Sequence, residues 1–90
     1  MKFSLVELMS MAMAEGDRAR LHAPPNPWVG AVIVDGRGVI VGGGHSQAPG
    51  ESHAEVEALR RAGDAARGST MIEWMPGSSA PPPFHILRLG

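Results

Sequence analysis

His53 and Glu55 stand two residues apart in the stretch Gly50-Glu51-Ser52-His53-Ala54-Glu55-Val56-Glu57-Ala58-Leu59, where a loop passes into an amphipathic helix. A helix N-terminus offers partial positive charge and free N–H groups to whatever collects in front of it. There one imidazole can bind a metal ion while a carboxylate in the first turn faces the same pocket without touching the metal. Zinc lowers the pKa of a bound water toward about 7. Glu55 would take the water proton and pass it to a ring nitrogen and then to a leaving amine, which is general acid–base work. The chemistry these two residues could do is hydrolytic deamination of an aminopyrimidine or a related ring.

His-x-Glu is the first half of a zinc-deaminase signature whose second half is Pro-Cys-x-x-Cys. This sequence contains no cysteine, so thiolate ligands and disulfides are both excluded. A purely structural reading also fits the first half. Ser52 and Glu55 have capping-box spacing, which would leave His53 on the surface. The dipeptide spacing alone leaves both readings open.

The elements that must position these residues fit one small domain. The 90 residues carry a net charge of -1, with no basic footprint for a nucleic-acid backbone. No apolar run approaches the roughly 20 residues of a membrane span. The N-terminal stretch lacks the form of a signal peptide, so the expected location is cytoplasmic. Residues 3–15 predict a helix, with Ser4 and Glu7 as its capping box and Gly16 as its end. Four of the six methionines lie in the first 13 residues and read as flexible core filler. Residues 17–27 predict a loop stiffened by Pro24, Pro25 and Pro27, which would hold Asn26 either as a ligand-reading amide or as a plain turn residue.

Val29 to Val34 predicts a buried strand, Asp35-Gly36-Arg37-Gly38 a turn, and Val39 to Val41 the start of an antiparallel partner. Gly42-Gly43-Gly44 is expected to loosen the chain ahead of His45. A second helix is expected from His53 to Ala62 with Gly63 as its stop, then a third strand over residues 69–74. From Met75 onward the chain turns Pro-rich and ends in a short apolar tail, Phe84 to Gly90, in which no further element is expected.

In order and spacing, several stretches resemble one family. They are Pro25-Asn26-Pro27-Trp28-Val29-Gly30-Ala31-Val32-Ile33-Val34, Gly38-Val39-Ile40-Val41-Gly42, His53-Ala54-Glu55-Val56, Ala58-Leu59, Ala62-Gly63 and Arg67-Gly68. The chain is similar through them to the N-terminal deaminase domain of bifunctional riboflavin biosynthesis proteins, over about residues 3–72. The resemblance implies an α/β, partial cytidine-deaminase-like three-layer fold: helix, β-hairpin, helix, third strand. Residues 1–74 would form the partial domain and 75–90 a divergent tail. The resemblance also implies one catalytic zinc and a small-molecule substrate, a ribosyl-phosphate diaminopyrimidine. His53 would be the metal ligand, Glu55 the proton shuttle, and Asn26, His45 and Ala54 the substrate contacts. The loop from His45 to His53 is one residue longer than in the family.

The departure begins near Met71. Trp74-Met75-Pro76-Gly77-Ser78 stands where the family has its first cysteine, and Pro82-Pro83-Phe84 near the second. A catalytic zinc takes three protein ligands, and only His53 is in place. The resemblance therefore implies a C-terminally truncated or frame-shifted domain with little deaminase activity. The alternatives are a non-catalytic remnant that binds a partner, and a nucleoside or tRNA deaminase relative. A sheet left open at one edge predicts self-association into a homo-oligomer.

Overall fold

A computed structural model describes residues 2–76 and 83–90. Helix α1 (Leu5–Asp17) leads through a 3-10 turn (Arg18–Leu21) to strands β1 (Gly30–Val34) and β2 (Ile40–His45). Helix α2 (Ala54–Ala62), a second 3-10 turn (Gly63–Ala66), β3 (Thr70–Trp74) and β4 (Phe84–Arg88) complete the order. The strands form one antiparallel sheet in the order β2-β1-β3-β4. Alternate residues of β1 and β3 serve opposite faces, as the two-residue period of a strand requires. Val32, Val34 and Ile72 pack with Leu8 and Ala12 of α1. Ala31, Ile33 and Met71 pack with Ala54 and Ala58 of α2. The expected three layers are therefore present, with β1 and β3 at their centre.

Local sequence explains most of the elements. In α1 the Ser4 hydroxyl accepts from the Glu7 N–H at 3.1 Å, while Glu7 Oε1 accepts from the Ser4 N–H at 2.8 Å. This is the reciprocal cap the sequence predicts. The Asp35 turn is tied in the same manner: Asp35 Oδ1 accepts from the N–H groups of Arg37 and Val39, each at 2.9 Å. The Val39 bond is the main cause of an Asp35 carboxyl held below its ordinary value.

Three expectations need correction. Gly16 does not end α1; it lies buried within the helix, where a Cβ would strike the Trp74 ring and the Trp28 carbonyl oxygen. Gly42-Gly43-Gly44 is not a loose segment but the middle of β2. A Cβ on Gly44 would sit 2.6 Å from the Ala58 nitrogen and 2.7 Å from the Ala54 carbonyl oxygen, and one on Gly42 would sit 2.5 Å from the Ala58 oxygen. The glycines let the α2 backbone lie directly on β2. Finally, the tail contains a strand. β4 pairs with β3 so that Glu73 faces His85, Ile72 faces Ile86 and Met71 faces Leu87. Ile86 and Leu87 remain 56% and 45% exposed, because neither helix reaches over this edge. The polyproline-type segment expected before β4 lies largely outside the described residues.

Candidate functional site

His53 is the N-cap of α2, in extended backbone conformation, with no side-chain capping bond. The alternative capping box is not formed. The Ser52 hydroxyl instead accepts from Arg60 Nη2 at 3.4 Å, and Arg60 Nη1 also reaches Glu57 at 2.8 Å. His53 is thus an exposed imidazole at the mouth of a pocket of about 430 Å³. Asn26, Pro27, Ser46, Gln47, Glu51 and Met75 also line that pocket. Asn26 comes from the proline-stiffened loop, whose turn is closed by the Asn26 N–H on the Ala23 carbonyl at 2.8 Å.

Hydrogen bonds join the walls. The Val29 N–H donates to Ser46 Oγ at 3.0 Å, and the Ser46 N–H to the Val29 carbonyl at 2.9 Å. The Gln47 N–H donates to the Ser52 carbonyl at 3.1 Å, and Gln47 Nε2 to the His45 carbonyl at 2.9 Å. The loop between His45 and His53 is therefore fastened at both ends.

The remaining residues singled out by sequence lie elsewhere. Ala54 is fully buried at the first position of α2. Glu55, in the same turn, points to the sheet and meets Glu73 of β3. Burial, then the hydrogen bond to Glu55 and the negative charge of Glu55, push the Glu73 carboxyl up from 4.5 to about 8. Glu73 accordingly holds its proton more tightly than a free carboxyl does. His45 ends β2 and turns to the α1 side, where its Nδ1 lies 3.2 Å from Glu15 Oε1. Asn26 and His53 thus share one pocket, while Glu55 and His45 each pair with a carboxylic side chain outside its lining.

Sequence reasoning missed Glu73, Glu15, Ser46 and Gln47. Glu73 had a signal: a carboxylate flanked by Ile72 and Trp74 on an expected strand asks for a partner. Ser46 and Gln47 carried none.

The donor set can be tested against a metal. Among the described residues no three His, Cys, Asp or Glu side chains group closely enough to hold an ion. Met75, whose thioether is a soft and weak donor, borders the pocket beside His53. These residues do not fit a catalytic zinc.

With layers, helix and pocket in view, comparison with known proteins gives the class. The family described as cytidine and deoxycytidylate deaminase zinc-binding region matches residues 4–75, and the chain belongs to it. Among curated relatives it is 44% identical over 72 residues to the riboflavin biosynthesis protein RibD of Mycobacterium tuberculosis strain CDC 1551 / Oshkosh, a match covering 80% of this chain and 21% of that protein. It is 52% identical over 62 residues to RibD of Escherichia coli K12, covering 69% of this chain and 17% of that one. A solved structure of Acinetobacter baumannii RibD superposes with a TM-score of 0.71 at 39% identity, over 74% of this chain and 18% of that one. The chain spans about a fifth of the length of the curated relatives it matches. No helix among the described residues is long and apolar enough to cross a membrane.

Proposed function

We propose that the pocket between the Asn26 loop and the start of α2 recognises the ring of an aminopyrimidine nucleotide of riboflavin biosynthesis. In this reading these 90 residues bind that ring without deaminating it. The observation that carries the reading is the convergence of Asn26 and His53, far apart in sequence, on one pocket. An amide on a stiff loop can offer a donor and an acceptor to a ring edge at low entropic cost.

In the family, zinc supplies an activated water, and Glu55 has the sequence position of the residue that moves its proton. Here the donor set around His53 is short of that ion, and Glu55 lies against the Glu73 carboxyl. Both facts support binding without turnover.

The test combines three measurements on the purified chain: binding of the ribosyl-phosphate diaminopyrimidine, zinc content, and ammonia release. The expected outcome is saturable binding, zinc far below one equivalent, and no ammonia. One equivalent of tightly held zinc with turnover overturns the inactivity. Absence of binding overturns the ring-recognition reading. Asn26→Ala should weaken binding by about 1 kcal/mol, the usual worth of one hydrogen bond.

A further inference from the structure

We propose that Glu15 is a positioning residue for His45: its carboxylate dictates which ring nitrogen carries the proton, and so anchors the root of the pocket wall. His45 Nδ1 lies 3.2 Å from Glu15 Oε1, with the two side chains only 10% and 18% exposed. An ionised carboxylate can only accept a hydrogen bond. The bond therefore forms when Nδ1 holds hydrogen, and the neutral ring is the Nδ1–H tautomer with a lone pair left on Nε2. Histidine free in water prefers the opposite tautomer.

The surroundings hold both partners in place. A Cβ on Gly43, two residues before His45 on the same strand face, would come within 3.0 Å of Glu15 Oε2, so glycine makes room for the carboxylate. The His22 ring leans on the His45 ring with centroids 5.3 Å apart and planes tilted by 51°. Arg18 Nη1 approaches the same Glu15 oxygen at 3.7 Å, but its side chain is 63% exposed and holds the carboxylate weakly.

From His45 the effect reaches the pocket through the backbone. The His45 carbonyl accepts from Gln47 Nε2, and Ser46 and Gln47 both line the pocket.

The test is a two-bond proton–nitrogen NMR spectrum of the histidine rings, recorded on the ligand-free chain at a pH where His45 is neutral. The wild-type His45 should show a protonated Nδ1 and a bare Nε2. Glu15→Ala should move most of the ring population to the Nε2–H form and speed amide exchange at Ser46 and Gln47 several-fold. Glu15→Gln retains an acceptor oxygen and should keep much of the Nδ1–H form. Arg18→Ala should leave the tautomer unchanged. A wild-type ring already protonated on Nε2 overturns the proposal, as does a Glu15→Ala chain that folds and keeps the Nδ1–H form. Should Glu15→Ala fail to fold, the wild-type and Glu15→Gln spectra decide. No ligand is present, so the result is separate from whether the pocket binds an aminopyrimidine.

Discussion

The two faces of the sheet are built to opposite rules. The α1 face packs branched and bulky side chains, Leu8, Val32, Val34 and Ile72, and its part-buried polar pair, Glu15 with His45, joins a carboxylate to a ring that can donate. The α2 face packs small residues, Ala31, Ala54 and Ala58, with glycines beneath the helix, and its polar pair is a half-buried carboxyl, Glu55, against the buried Glu73. Pairing two acids works against stability unless one keeps its proton. The difference teaches that the α2 face sets two acids side by side, which favours keeping a proton between them, while the α1 face sets an acid against an imidazole.

The sharpest way to break this contrast is to remove the close approach under α2. Gly44→Val would drive side-chain atoms into the backbone of Ala54 and Ala58. It should destabilise the chain by about 3 kcal/mol or more, read as a lost or strongly lowered denaturant midpoint. On the other face Leu8→Ala, at a site only 7% exposed, should cost about 2–3 kcal/mol through lost burial and a cavity. If Gly44→Val proves the milder of the two, the close-contact account of the α2 face is wrong.

The acid pair gives a pH signature. A carboxyl whose folded value is raised from 4.5 to about 8 binds its proton more tightly folded than unfolded. Its contribution to stability is fully present below pH 4.5 and is lost as pH rises toward about 8, at up to about 1.4 kcal/mol per unit. Glu73→Gln should flatten that fall and stabilise the chain at pH 8, measured by melts across the window. An unchanged slope would remove Glu73 as its source. The smallest effect belongs to the α1 cap: Ser4→Ala should cost about 1 kcal/mol, visible as a small drop in melting temperature.

The sequence made some of this legible and hid the rest for physical reasons. The cap at Ser4, the strand Gly30–Val34, the second helix and the third strand follow from local spacing and capping chemistry. Asn26 and His53, which the resemblance singles out, line one pocket. The glycines misled because their function is set by a neighbour distant in sequence. Gly16 makes room for Trp74, and Gly42 and Gly44 make room for α2, whereas local rules read each as a stop or a slack segment. β4 escaped notice because five residues with no turn signal become a strand only when β3 offers an edge. The Glu55–Glu73 contact could not be read from either residue alone, since helix and strand bring them together from 18 positions apart.

The backbone-to-backbone seat of α2 on β2 has a bearing on how such a site can change over time. Nothing in that seat uses an imidazole, a thiol or an ion. The hollow in front of the helix rests on main-chain contact, so its outline does not depend on the side chains that line it. Mutation can rewrite the chemistry letter by letter while the mould stays whole.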